Sequence, residues 1–353
     1  MGLFMENKYF DESFLKNIEC IQNDIYSFLL SYALIFSLEV QLFDLLEEKP
    51  LSIADLQKKL GLSEKNLKVL LPILTAYSYL EINKSENIVK YSCSKKASSI
   101  LCKKSPRNYL KNLRISKSTI NMLSYDCFLQ KFKSETSSEL KNPEKDYFSS
   151  ILTDKKEMME LLNTIDDHGS YLAPLCFNNV DLSKNKVFLD IGAGSAKYAL
   201  SCQKANPNIK TILFDLPSQI EIISEKYISD LKNTDKTLLF SGDFWKDDFP
   251  EADVHFYSNV IHDWDKEKVL FLLKKSFASL PHKDGKIVIS TMLIDEESPK
   301  KSPSLMSADI LNYTEGRNYF KNELLYMLNN IGFNNISMID LNYSGYYVVI
   351  GYK

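Results

Sequence analysis

The chain reads as an α/β protein in two parts: a mostly helical N-terminal domain and a C-terminal domain built on a largely parallel sheet. Three observations predict this. From Lys186 onward short apolar runs alternate with amphipathic helical stretches, the pattern of strands crossed over by helices. Before it, within the first hundred residues, two short helical patterns flank a Gly turn and are followed by a polar hairpin. A chain of 353 residues with 44% apolar and 25% charged side chains is too long for one small core and rich enough in apolar surface to fill two.

Residues 12–48 are expected to be helical. Phe28, Leu29, Ala33, Phe36, Val40, Phe43 and Leu46 recur at three- and four-residue steps, and so much apolar circumference needs cover from its own domain or a second subunit. Within it, Tyr26 to Leu38 carries no charge over 13 residues, too few to cross a bilayer, so a buried helix is expected. Ser52 can cap the next helix, Gly61 can end it, and Ser63 can cap a third carrying Leu67, Leu70, Leu71 and Leu74. Pro72 should kink that helix. Tyr79-Leu-Glu-Ile and Ile88-Val-Lys-Tyr-Ser-Cys then read as the strands of a wing. A winged helix either reads DNA or packs, and the packing reading is preferred. The 12 Lys and Arg between Lys84 and Lys133, set against Glu86 and Asp126, are read as a solvated face, and no nucleic-acid partner is expected.

Residues 116–175 look helical and irregularly polar, a connector between an N-terminal domain at 1–115 and a catalytic domain at 176–353. Strands are expected at Val187-Phe-Leu-Asp, Lys210-Thr-Ile-Leu-Phe-Asp, Thr237-Leu-Leu-Phe, Val254-His-Phe-Tyr-Ser and Lys286-Ile-Val-Ile-Ser, with Tyr346-Tyr-Val-Val-Ile-Gly-Tyr as the last. The six cysteines show no C-x-x-C spacing, so free thiols, no metal site and a reducing, cytoplasmic setting are expected, with no leader segment visible.

The chemistry gathers at the ends of the strands. The first runs into Asp190-Ile-Gly-Ala-Gly-Ser-Ala, where Gly192 and Gly194 let a ligand approach backbone amides closely. The second ends in Phe214-Asp215-Leu216-Pro217, with Asp215 placed 25 residues after Asp190 to accept both hydroxyls of a ribose. Ala196 stands where a dinucleotide site wants a third Gly, and an acid at position 190 would repel phosphates. Both argue against NAD and for a nucleoside without phosphates, such as S-adenosylmethionine. After the third strand, Asp243 and Phe244 suit an adenine, the carboxylate for its exocyclic amine and the ring for its face. The fourth leads to Asn259-Val-Ile-His262-Asp263-Trp264. His255 and His282 are read as structural. His262, on the ligand side with a carboxylate adjacent, can take a proton from an attacking hydroxyl.

In this order the motifs resemble those of the plant-type and bacterial O-methyltransferases, the family of caffeate, acetylserotonin and phenazine methyltransferases. The resemblance spans nearly the whole chain. It includes Phe43-Asp-Leu-Leu with Leu60-Gly-Leu, the Asp190 turn, Phe214-Asp-Leu-Pro, Gly242-Asp-Phe, His262-Asp-Trp, Gly316-Arg317 and Gly332-Phe333. It implies a class I Rossmann-like methyltransferase domain behind a winged-helix dimerisation domain, hence a homodimer without membrane attachment. It further implies S-adenosylmethionine as cofactor and S-adenosylhomocysteine as product. Asp190, Gly192, Asp215, Asp243, Phe244 and Ser258 become the expected cofactor contacts, His262 the base, and His168, Asn312 and Asn318 the candidate acceptor contacts. His168 serves equally well as a surface residue of the connector. The chain departs from the pattern where two glutamates commonly orient the catalytic His: Thr291 and Asn318 stand there, and Ala196 replaces the last Gly of the first motif. Methyl transfer to a hydroxyl of a small aromatic or heteroaromatic metabolite is the expected reaction. Transfer to nitrogen or sulfur, or non-methylating chemistry, is the alternative those departures favour. A ligand-sensing DNA-binding regulator is the alternative of another class.

Overall fold

The computed structural model describes residues 12–85, 88–105, 155–227 and 236–353, with Asp126, Leu129 and Phe132 singly between them. Beyond Ser105 the basic stretch falls outside the described residues, as do Cys127 and most of the expected connector. Two compact units emerge, Met1–Ile115 and Ser116–Lys353.

In the first unit the helix expected over 12–48 is two. Helix α1 (Glu12–Glu39) ends where Gln41 adopts a left-handed backbone at φ 57, and α2 (Leu42–Glu48) leaves at 65° to it. The left-handed residue costs about 1–2 kcal/mol. The turn sinks Leu42, Phe43 and Leu46 to 0–2% exposure, each worth roughly 1.5–3 kcal/mol, so burial wins. The uncharged Tyr26–Leu38 stretch is not the buried helix expected: Tyr26, Phe28, Leu29, Tyr32 and Phe36 are all exposed in the single chain. Among the described residues no single helix is long and apolar enough to cross a membrane.

Helix α3 (Ile53–Leu60) starts in a reciprocal cap, Ser52 Oγ accepting from Asp55 N at 3.2 Å and Asp55 Oδ2 from Ser52 N at 3.0 Å. Gly61 ends it at φ 68, and Ser63 caps α4 (Glu64–Ala76), which runs through Pro72 and buries Leu67, Leu70, Leu71 and Leu74. Strands β2 (Leu80–Ser85) and β3 (Ile88–Cys93) form the antiparallel wing. A two-residue β1 (Leu51–Ser52), too short to mark itself in sequence, adds to β3. Helix α5 (Lys95–Leu101) closes the unit, capped by Ser94.

The second unit begins with α6 (Lys155–Phe177). Its Leu172, Ala173, Cys176 and Phe177 are core residues packed with Phe188 and Phe256, so the helix crosses position 175 as part of the sheet's covering layer. The strands are β4 (Val187–Ile191), β5 (Lys210–Asp215), β6 (Thr237–Ser241), β7 (Val254–Ser258), β8 (Lys286–Met292), β9 (Asn334–Asp340) and β10 (Tyr346–Tyr352). The sheet order is β6-β5-β4-β7-β8-β10-β9. The first five are parallel; β10 runs antiparallel to β8 and β9. Strand β9 escapes sequence reading because this edge segment is polar and half exposed. Helices α7 (Lys197–Ala205), α8 (Pro217–Tyr227), α9 (Lys266–Ser279), α10 (Lys301–Tyr313) and α11 (Lys321–Ile331) complete the unit. Apolar clusters fill both faces of the sheet. Chain order reverses between β4 and β7, and that reversal opens a crevice at the carboxyl ends of the strands.

Candidate active site

The turn after β4 is built for close approach. Gly192, at φ 73, donates to the Phe214 carbonyl at 2.9 Å, and a Cβ on it would lie 2.8 Å from Val260 Cγ2. Gly194 donates to Asp215 Oδ2 at 2.9 Å, and Gln219 Nε2 donates to the Gly194 carbonyl at 2.8 Å. Ala196, the departure from a third Gly, holds a left-handed φ of 61 and caps α7. Its methyl is buried among Ala193, Ala199, Leu213 and Ile223, which offsets a conformational cost of about 1–2 kcal/mol.

Register brings the expected cofactor residues to the carboxyl ends of neighbouring strands: Asp190 pairs with Leu213, Asp215 with Ser241 and Ser258 with Ser290. Asp190 is buried with Oδ2 unpartnered among the described residues. Burial first, then the charge of Asp215, push its carboxyl up to about 8. It is therefore mostly protonated near neutrality, and the expectation that it repels phosphates loses its force. Asp215 is pushed up to about 6 by burial, against the N–H groups of Gly194 and Leu216, and stays ionised at pH 7. Burial also acts upward on Asp243, but Lys246 at 2.8 Å and the Trp245 N–H at 2.9 Å prevail and lower it. Phe244 meets Trp245 edge-on at 4.8 Å, and Trp245 meets Trp264 at 4.9 Å. This aromatic wall, with Gln219, is what single-motif reading missed; the two Trp residues of the chain were its signal. Ser258 Oγ is buried on the Tyr198 side of the crevice.

His262 sits on a single 3-10 turn, Ile261–Asp263, just past β7. Burial drives its pKa down to about 4, with the Asn318 side chain pulling the other way. Its Nδ1 is fully buried, and Nε2 lies 3.7 Å from Asp263 Oδ1. Burial holds the Asp263 carboxyl well above the usual range. Asn318 is itself buried, its Nδ2 committed to the Pro303 carbonyl at 2.8 Å, leaving Oδ1 for the His262 side.

The loop bearing Asn318 is pressed onto the His262 turn. A Cβ on Gly316 would lie 2.0 Å from the His262 carbonyl oxygen. Tyr319 Oη donates to the Trp264 carbonyl at 2.8 Å, and Arg317 grips both oxygens of Glu323 at 2.9 Å. Thr291, at the end of β8, buries a hydroxyl with no partner among the described residues. His168, half-buried on α6, meets Tyr171 at a tilt with ring centroids 6.2 Å apart. Its neighbour Gly169 abuts the site's first turn, where a Cβ would meet Lys197 Cβ at 2.8 Å. Asn312 stands in α10, and its side chain lies outside the described residues. His255 is buried away in the core, 3.1 Å from Ser276 Oγ, and burial pushes it down to about 3.

A family model described as an O-methyltransferase domain matches residues 139–334, and one described as an O-methyltransferase dimerisation domain matches residues 24–103. Acetylserotonin O-methyltransferase of Bos taurus is 27% identical, over 88% of this chain and 90% of its own length. The tetracenomycin polyketide synthesis 8-O-methyl transferase TcmO of Streptomyces glaucescens is 23% identical, over 87% and 88%. The crystal structure of human N-acetylserotonin methyltransferase in complex with SAM superposes with a TM-score of 0.81 at 21% identity, over 100% of this chain and 99% of that one.

Proposed function

The chain belongs to the O-methyltransferase family, and from that premise we propose that it moves the methyl group of S-adenosylmethionine onto a hydroxyl of a small aromatic or heteroaromatic molecule. One observation carries the site assignment: the Gly192 turn, bonded through Gly194 to Asp215, packs on Val260 at the start of the turn holding His262, so cofactor and base share one crevice. The residues fit the cofactor. Gly192 leaves a cradle that a Cβ would fill, and Asp190 Oδ2 is a buried polar atom without a partner among the described residues. Asp215 takes the ribose hydroxyls, Asp243 the adenine amine, and Phe244 the adenine face. Bound there, S-adenosylmethionine supplies an electrophilic methyl on a sulfonium.

His262 removes the acceptor's hydroxyl proton. Nδ1 is buried, so Nε2 receives it, beside Asp263. A ring whose pKa sits near 4 is always free to accept but is a weak base. Asn318 can orient the ring, yet it cannot balance an imidazolium as a carboxylate does. Positioning therefore carries much of the catalysis. His168 on α6 and Asn318 flank the acceptor side.

The exposed apolar face of α1 pairs two copies into a homodimer, in keeping with the dimerisation-domain match. The free Cys20, Cys93, Cys102, Cys176 and Cys202 suit a cytoplasmic setting.

Calorimetry tests the assignment. Wild type should bind S-adenosylhomocysteine and not NAD. Asp215→Ala should weaken that binding by roughly 2–3 kcal/mol, the worth of hydrogen bonds to a charged group. Unchanged affinity in the variant would end the ribose assignment.

A further inference from the structure

The first unit brings together three side chains of metal-ligating type from three different elements. Cys93 ends β3, Cys102 follows α5, and Glu47 lies in the last turn of α2. Their donor atoms all fall within 4.8 Å of one another. The sulfurs are 4.0 Å apart, and Cys102 Sγ is 3.8 Å from Glu47 Oε2. A tetrahedral zinc-class ion with metal–sulfur bonds of ~2.3 Å and metal–oxygen bonds of ~2.1 Å spaces its ligands about 3.8 Å (sulfur to sulfur) and about 3.6 Å (sulfur to oxygen) apart. Two of the three separations thus already stand near those values, and the third, Cys93 to Glu47, lies within 4.8 Å.

We propose that Cys93, Cys102 and Glu47 form a binding site for one thiophilic divalent cation of the zinc class. The carboxylate is set in advance: Ser98 Oγ donates to Glu47 Oε1 at 2.6 Å, which turns Oε2 toward the sulfurs. Outer partners of this kind fix a ligand's orientation and are commonly worth ten- to a hundredfold in metal affinity. The Phe43 carbonyl oxygen, 3.2 Å from Cys93 Sγ and 3.7 Å from Cys102 Sγ, stands by the fourth position, which a water can also fill. Access is graded, Cys102 buried, Cys93 half-buried and Glu47 exposed, so the ion enters from the carboxylate side.

The local field favours a cation. Glu47 and Asp44 bring negative charge to the two thiols. Lys103, 4.0 Å from Asp44, offsets only part of that negative charge. On binding, two S–H bonds release their protons to solvent as two sulfur–metal bonds form. The ion then cross-links α2, β3 and the end of α5 through their side chains. Nothing in this site depends on the methyl-transfer assignment.

The test titrates the full chain, kept reduced with a phosphine and stripped with a chelator, with Co²⁺ alone. A thiolate-to-cobalt charge-transfer absorption should grow to one equivalent and vanish on adding Zn²⁺. Cys93→Ser should abolish it. Glu47→Gln, at an exposed position that tolerates exchange, should weaken binding at least tenfold, and Ser98→Ala by about tenfold. Zinc should raise the melting temperature of wild type and not that of Glu47→Gln. Absence of the absorption in chains whose thiols are counted as reduced would overturn the proposal. Equal binding by Glu47→Gln and Cys93→Ser would overturn it as well.

Discussion

Gly316→Ala should misplace the catalytic turn without touching the cofactor site. The added Cβ would sit 2.0 Å from the His262 carbonyl oxygen and 2.5 Å from both the Asp263 carbonyl carbon and the Trp264 nitrogen. Ordinary contact distances begin near 3.5 Å, so one backbone must withdraw from the other by more than about 1 Å. The Gly316 loop cannot absorb this alone. It is held by Tyr319 on Trp264, by Arg317 on Glu323 and by Lys268 on Glu315. Overpacking of this kind costs ~1–3 kcal/mol of stability, and a displacement of about 1 Å at reacting groups costs on the order of a hundredfold in rate. Turnover is followed as S-adenosylhomocysteine release, on an acceptor found by screening hydroxylated aromatics. A fall in kcat of about a hundredfold is expected, with cofactor affinity within about twofold of wild type by calorimetry. Tyr319→Phe, which removes one hydrogen bond worth about 1 kcal/mol and no volume that matters, should retain most of the turnover. Wild-type kcat in Gly316→Ala would refute the argument. A loss of cofactor binding in proportion to the loss of rate would refute it too, since the damage would then be general.

Four further outcomes follow from the same geometry. His262→Ala should lower turnover on a neutral hydroxyl by about a hundred- to ten-thousandfold and much less on an acceptor already ionised. In wild type the acid limb of the pH–rate profile due to His262 should lie near pH 4, where burial has put its pKa; a limb at the ordinary imidazole value would contradict that burial. Asp190 binds its proton in the folded state up to about pH 8 but in the unfolded chain only below about pH 4. The contribution of Asp190 to unliganded stability therefore falls as pH rises through that window. Asp190→Asn should melt progressively higher than wild type from pH 4 to 8, and a constant difference in melting temperature would count against the buried carboxyl. The exposed apolar face of α1 calls for a partner subunit over roughly 2,000 Å², so light scattering at micromolar concentration should give the dimer mass; a monomer would exclude that pairing.

Much of the scaffold could be read directly. The caps at Ser52 and Ser63, the Gly61 stop, the wing and six strands of the large sheet are local patterns of propensity and period, and the structure has them where the chain's residues put them. The strand-end motifs around Asp190, Asp215, Asp243 and His262 were equally legible, because a parallel sheet brings successive carboxyl ends to one edge. What depends on neighbours distant in sequence was not. Gln41 looks like any helical residue, and only the gain from sinking Leu42, Phe43 and Leu46 explains why it turns left-handed. Asp190 reads as a charge until its burial is known, and then it is mostly a neutral acid. Asn318 was found by counting along a motif, but only the fold places it beside His262 and shows Gly316 holding that turn. Cys93 and Cys102 have no meaningful spacing in the chain, yet a strand end and a helix end bring them to 4.0 Å beside Glu47. Sequence thus determined which elements form and which residue types stand at their ends, because those follow from local steric and hydrogen-bonding preferences. Tertiary structure alone decided protonation, close backbone approach and the pairing of remote side chains, because each is a property of what surrounds a residue.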